Sequence, residues 1–235
     1  MTVLDIGGVF NARDVGGMTA ADGRIREGVL LRSGSLAGAN AADVVELERR
    51  SVHIVDLRDL QEVTDSPSVV TSLTTTQLPL FLGSVASFFD DDFSLADMYR
   101  HLIEDSGERI ADAIRVIAGA ESTLVHCTVG KDRTGVTVAL ALAAVGAHRD
   151  AVVADYALTA SQLPEQRNRR IIAYLRSQHP HAENAIELAT GSPAAVMRNL
   201  LADVDARWGS AAEYLIANGV TEDELAALRS RLVTH

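Results

Sequence analysis

His126-Cys127-Thr128-Val129-Gly130-Lys131-Asp132-Arg133-Thr134-Gly135 joins two apolar runs of different kinds. Ahead of it, Ser122-Thr123-Leu124-Val125 is short enough for a buried strand. Behind it, Val136 to Val145 has helix length and ends at Gly146. The segment reads strand, tight loop, helix. Cys127 is the only cysteine of the chain, Lys131 the only lysine, and Arg133 lies six residues past the cysteine. A thiol at a strand end, facing backbone N–H groups and a helix N-terminus, is where a thiolate and an anionic substrate are both stabilised.

Such a loop suits a phosphate ester. The residues between Cys127 and Arg133 can curl so that the N–H groups of Thr128, Val129, Gly130 and Lys131 point inward, a concave anion-binding nest. The helix that follows adds about half an elementary charge at its start. Both effects favour the Cys127 thiolate, and the same donors would hold phosphoryl oxygens. Arg133 offers a planar fork that takes two oxygens at once, which lysine cannot do. Gly130 permits positive φ and Gly135 close packing of the helix start. Thr134 can donate to the sulfur, and His126 is expected to brace the loop rather than act as a base. Asp132 can protonate the departing oxygen. Lys131 is expected to add charge at the rim. A buried structural cysteine is the plain alternative, but it leaves the glycines, the lysine and the arginine unexplained.

The bare Cys-x5-Arg spacing is a weak pattern; its context is stronger. His-Cys-x5-Arg-Thr-Gly resembles the phosphate-binding loop of the cysteine-dependent protein tyrosine phosphatases. The Gly-Lys-Asp-Arg-Thr-Gly version is similar to their atypical bacterial branch, the mycobacterial B type. The resemblance extends to Asn11-Ala12-Arg13-Asp14-Val15-Gly16-Gly17, with Ala12 where Phe is usual, and to Gly28 through Gly34. It takes in Asp56-Leu57-Arg58 with Glu62-Val63, Val153 through Tyr156, and Trp208-Gly209-Ser210 through Leu225. It implies a phosphatase fold and a cysteinyl-phosphate intermediate, with Asp132 as an acid inside the loop. It also implies broad specificity that includes phosphoinositides, and a helical insertion serving as a lid.

Composition bounds the rest. A chain of 235 residues, 47% hydrophobic and 23% charged, predicts one elaborated domain spanning 1–235. A net charge of −11 argues against nucleic acid as a partner and makes any phosphate site a local positive island. One cysteine excludes an internal disulfide. The absence of a signal-peptide pattern or an apolar span predicts a cytoplasmic protein without stable membrane insertion; non-classical export would leave no mark. The seven histidines show no metal-ligand spacing, and thiolate chemistry requires neither metal nor cofactor. Oligomeric state is not readable.

Along the chain, Val29 to Arg32, Val52 to Leu57 and Gln77 to Leu80 read as strands. Ala41 to Arg50 reads as a helix, as does Leu95 to Ala118 with a break near Ser106-Gly107. Alternating helices and strands predict an α/β sandwich with a largely parallel sheet and the loop at the carboxyl end of a central strand. Beyond Gly146 only helices are expected: His148 to Ala160, Pro164 to Ser177, Glu183 to Thr190, Pro193 to Arg207, Tyr214 to Asn218 and Glu222 to Leu232. The last opens on a Thr221/Glu224 capping box. Residues 161–200 are the lid candidate, with extra packing or a dimer surface as the alternative.

Other acids and cations compete for roles. Asp90-Asp91-Asp92 and Asp97 lie upstream, where larger tyrosine phosphatases keep their acid, but read as a solvated turn and a helix residue. Arg58 either supports the loop from behind or forms a structural ion pair; Asp14 reads as a turn or ion-pair residue. Arg167, Arg169 and Arg170 read as solubilising. The expected substrates are phosphorylated proteins or phosphoinositides. A lipid phosphatase is the nearest alternative, with a sulfurtransferase or a non-catalytic phosphate-binding module further off.

Overall fold

Parallel strands covered on both faces need apolar residues at successive positions. Three such runs form the middle of a sheet in the computed structural model, which describes residues 2–4, 6–50, 52–80, 94–178 and 183–234. In chain order the strands are β1 (Thr2–Val3), β2 (Arg13–Asp14), β3 (Thr19–Ala20), β4 (Gly23–Ile25), β5 (Leu30–Ser33), β6 (Val52–Asp56), β7 (Thr75–Gln77), β8 (Ser122–His126) and β9 (Val233–Thr234). The main sheet runs β1-β2-β5-β8-β6-β7. Its β5–β8, β8–β6 and β6–β7 pairings are parallel, and β2 and β1 extend it antiparallel.

Successive side chains on a strand face opposite ways, and the three middle strands divide their residues between two cores accordingly. Leu30, Val55 and Val125 enter the larger one, together with Leu102, Ile114, Leu140 and Tyr214 from the helices. Leu31, Ile54 and Leu124 enter a smaller one with Ile6, Leu36 and Leu47. The Ala41–Arg49 helix packs on that second side. The Leu95–Asp105, Gly107–Gly119, Arg149–Gln162, Ala194–Trp208, Ala211–Ala217 and Glu222–Leu232 helices contribute to the first. The Asp132–Ala144 helix is buried nearly all round, as an apolar sequence without a polar face requires. The α/β sandwich expected from the sequence is present, with β8 in the middle of the sheet and its carboxyl end opening into the loop.

Three expectations need correction. The strand placed at Gln77 to Leu80 lies earlier, at Thr75–Gln77. Leu78 and Leu80 are apolar because they plug the large core, and their N–H groups bond to the carbonyls of Asp56 and Leu57. Strands do not end at Gly146: β9 returns to pair antiparallel with β4 in a small second sheet, β3-β4-β9. The Tyr214 to Asn218 helix starts earlier, at Ala211, because Ser210 caps it by accepting from the Glu213 N–H. No helix among the described residues is long and apolar enough to cross a membrane.

Candidate active site

Residues 127–131 leave β8 and turn into the Asp132–Ala144 helix. What shapes this loop is how its carbonyls are held. The Ser35 N–H donates to Thr128 O at 3.1 Å, and Asn11 Nδ2 to Val129 O at 3.2 Å and to Gly130 O at 2.8 Å. Arg32 Nη2 also donates to Gly130 O, at 2.8 Å. In a trans peptide the N–H points opposite to the C=O. Three carbonyls tied from outside therefore turn the N–H groups of Val129, Gly130 and Lys131 inward. The Gly130 N–H meets Cys127 Sγ at 3.2 Å. Gly130 has φ of +70°, and a Cβ there would stand 2.2 Å from Ser33 O, so only glycine fits.

The outside donors form a buried ionic cluster. Asp155 Oδ1 accepts from Arg13 Nε at 2.7 Å and Oδ2 from Arg32 Nη1 at 2.5 Å. Arg13 also donates to Asp155 O and Thr159 Oγ1, and to the side chain of Asn11, the residue that grips the loop. Burial, with Arg32 beside it, lowers the Arg13 pKa to about 10. Burial pushes the Asp155 carboxyl up, but Arg32 and then Arg13 outweigh it and hold it below its ordinary value. These supporting roles are absent from the sequence reading, although Arg13, Arg32 and Asp155 stand inside its family-like segments. The available signal was a charged residue set within an apolar strand or helix face.

Arg133 presents its fork to Glu62. Nη1 lies 2.5 Å from Oε2 and Nη2 2.6 Å from Oε1, while Nη1 also reaches Leu57 O at 3.3 Å. The Thr128 hydroxyl donates to the same carboxylate. Burial raises the Glu62 carboxyl, but the bond and charge of Arg133 prevail and bring it to about 2. Glu62 is placed by the Leu60–Asp65 helix, where it closes a capping box by accepting from the Asp59 N–H at 3.0 Å. Its contact with Arg133 is a further role missed from sequence.

Lys131 is not at the rim. Its side chain is 1% exposed, and its ammonium donates to Leu188 O at 2.6 Å and Gly191 O at 2.8 Å, beside Glu187 O at 3.5 Å. It thus caps the carboxyl end of the Glu183–Thr190 helix, where a cation offsets the helix dipole. It also lies 3.3 Å from Asp132 Oδ1. Asp132 Oδ1 accepts from the Tyr99 hydroxyl at 2.8 Å as well. Among the described residues, Thr134 Oγ1 and Arg133 Nε are buried without a hydrogen-bond partner, and Thr134 makes no bond to the sulfur.

Arg58 makes no hydrogen bond to residues 127–131. It pairs with Asp56 at 2.7 Å and donates to Ser66 O and to the hydroxyl of Ser35, the residue whose N–H holds Thr128 O. Asp14 ends β2, and its carboxylate accepts from the N–H groups of Gly16 and Gly28 in the turns beyond. Asp97 closes the first turn of its helix against Ser94 and Arg100. Asp90-Asp91-Asp92 lie outside the described residues. Arg169 and Arg170 are exposed, but Arg167 is partly buried, donates to Ala189 O and lines the cleft over the loop. That cleft, about 360 Å³, is lined from the loop side by Thr128, Asp132 and Arg133. Its wall is Met98, Ile171, Tyr174, Leu175 and Leu188.

His126 Nδ1 lies 3.4 Å from Cys127 O and Nε2 3.6 Å from Asp56 Oδ2. Burial, against the pull of Asp56, lowers its pKa from 6.5 to about 4, which leaves the ring neutral at neutral pH. Between pH 6.5 and 4 the unfolded chain binds a proton here that the folded one refuses. Stability is therefore expected to fall with pH across this window, by about 3 kcal/mol in total. Urea denaturation at several pH values checks this: His126→Gln should flatten the slope, and an unchanged slope would contradict it.

The sequence profile described as "Tyrosine phosphatase family" matches residues 4–234. A Cupriavidus necator protein bearing a tyrosine-protein phosphatase name is 31% identical, over 94% of this chain and 85% of its own. The triple specificity protein phosphatase PtpB of Mycobacterium tuberculosis is 29% identical, over 95% of this chain and 90% of its own. The solved structure of Pseudomonas aeruginosa TpbA aligns at a TM-score of 0.34 and 20% identity, over 69% of this chain and 86% of that one, a likeness too loose to add anything. With the profile covering residues 4–234 and a relative 31% identical over 94% of this chain, the chain belongs to the tyrosine phosphatase family.

Proposed function

We propose that the chain hydrolyses phosphotyrosine, and also phosphoserine, phosphothreonine and phosphoinositide esters, through a cysteinyl-phosphate. In the first step the Cys127 thiolate attacks phosphorus and the ester P–O bond breaks. Its electron pair leaves with the alcohol oxygen, which takes a proton from Asp132. In the second, water attacks the phosphoryl group, Asp132 accepts a proton from that water, and the S–P bond returns its electrons to sulfur. The inward N–H groups and Arg133 hold the three equatorial oxygens throughout. The unpartnered Thr134 hydroxyl is available to the sulfur as it departs. The observation that carries this reading is the loop of three outward carbonyls with an amide on the sulfur.

The apolar wall of the cleft favours a phosphate carried on an aromatic ring, as in phosphotyrosine; a mainly phosphoinositide activity is the second reading and rests on the resemblance to the broad-specificity branch. PtpB, by its name, acts with triple specificity. Residues 1–235 act as one domain, with 161–200 as its lid candidate, of which Met197 and Leu200 stay anchored in the large core. The lid reading is supported by the separate small cluster of Leu175 and Ala185 that binds the Glu165–Gln178 and Glu183–Thr190 helices together. Lys131 is then the latch between lid and loop. Faster hydrogen exchange in these helices than in β8 is expected, and equal protection would make them plain packing.

Rapid acid quench during turnover of a phosphotyrosine peptide, followed by mass analysis, should find the phosphoryl group on Cys127. Turnover without that adduct overturns the mechanism. Parallel assays on a phosphothreonine peptide and phosphatidylinositol monophosphate vesicles rank the substrates. Cyanide-dependent sulfur transfer in place of ester hydrolysis would overturn the whole reading.

A further inference from the structure

Building on the reading of Asp132 as the acid, we propose that Tyr99 is a positioning residue that fixes which oxygen of Asp132 carries the transferred proton. Tyr99 is fully buried on the Leu95–Asp105 helix, far along the chain from the loop. Its hydroxyl donates to Asp132 Oδ1 at 2.8 Å and lies 2.8 Å from the hydroxyl of Tyr156. The two rings meet edge to face, with centroids 5.9 Å apart.

A phenol has one proton to give. Since that of Tyr99 goes to Asp132, the proton of Tyr156 must point at the oxygen of Tyr99. The result is a one-way chain, Tyr156 to Tyr99 to Asp132, each donor polarising the next. Burial and then the charge of Asp132 push both phenols upward, so they remain neutral and serve as donors, not as acids. The Lys131 ammonium, 3.3 Å away, adds to the positive field on the same Oδ1. An oxygen already accepting from a phenol and facing an ammonium is the poorer base. The proton that Asp132 transfers is therefore carried on Oδ2, the oxygen that does not accept from Tyr99. In the first step Oδ2–H delivers that proton to the leaving oxygen; in the second, the same Oδ2 receives one from the attacking water.

The test is kcat/KM over a series of phosphate monoesters, from 4-nitrophenyl phosphate to a simple alkyl phosphate. A good leaving group needs no acid and a poor one does. Asp132→Asn should lose far more on the alkyl ester than on the nitrophenyl ester. Tyr99→Phe keeps the ring contact and should show the same bias, with a loss of about tenfold on the alkyl ester. Tyr156→Phe, which removes only the outer donor, should show it more weakly, and reads the same slope should Tyr99→Phe fold poorly. In the Tyr99→Phe/Asp132→Asn pair the tyrosine change should add no further bias. A merely structural Tyr99 would lower all esters equally. That outcome, or no loss at all, overturns the proposal while Asp132→Asn still shows its bias. Equal loss across the series in Asp132→Asn overturns the acid assignment, and the role of Tyr99 with it.

Discussion

Asp155→Ala is expected to remove about 3–5 kcal/mol of folding stability, because it strands two buried arginines. Arg13 and Arg32 are shielded from solvent, and Asp155 is the carboxylate that both of them pair with. Such a loss is a large part of the roughly 5–15 kcal/mol that holds a domain together. The damage should also reach the loop. Arg32 grips Gly130 O directly, and Arg13 orients Asn11, which grips Val129 O and Gly130 O. With those carbonyls free, the inward N–H groups lose their aim, so the fraction that stays folded should turn over slowly. The pH dependence supplies a check. The pKa of Asp155 is depressed in the fold. Its contribution is thus fully present above the unfolded carboxyl value of about 3.9 and is lost as pH falls through the lower folded value. Wild type and Asp155→Ala should accordingly converge in acid. Urea midpoints at pH 7 that differ by less than about 1 kcal/mol in derived stability would show that water, not Asp155, compensates the two arginines.

The same cluster marks where sequence reading stops. The loop was legible because all its parts are local: a strand end, a glycine that must take positive φ, and an arginine at the helix start. The middle strands were legible because burial on both faces leaves unbroken apolar runs. Two- and three-residue strands such as β1, β3 and β9 carry no period to detect, and Thr75–Gln77 is too exposed to look like a strand. Lys131 was misjudged for a related reason. In the sequence it adjoins Asp132 at the mouth of a phosphate loop, and a lone lysine there reads as a charge offered to the substrate. Its burial depends on Leu188 and Gly191, nearly sixty residues on, whose carbonyls no local pattern announces. Glu62 shows both sides at once. Its capping box with Asp59 is local and readable, whereas its pairing with Arg133 needs β6 and β8 to lie side by side.

Arg133→Lys is expected to lower kcat/KM by about a thousandfold although the positive charge is retained. The argument lies in how the guanidinium divides its donors. Nη1 and Nη2 are taken by Glu62, while Nε is buried with no partner among the described residues. The fork can thus stay anchored to Glu62 by one edge and present Nε to a phosphoryl oxygen. Lysine has a single ammonium, which either follows Glu62 or turns to the phosphate, and Glu62 is a strong competitor. With a pKa near 2 it is ionised throughout any working range. Glu62→Gln separates the two duties. It removes the competing charge but also loosens the anchor, so in the wild-type background it should reduce kcat/KM by about tenfold. In the Arg133→Lys background it should recover part of the loss, because the ammonium is then released to the substrate. Steady-state kinetics on 4-nitrophenyl phosphate for the four proteins of this cycle decide the matter. If Glu62→Gln deepens the Arg133→Lys defect instead of relieving it, Glu62 is no competitor for the cation and its role is confined to capping its own helix.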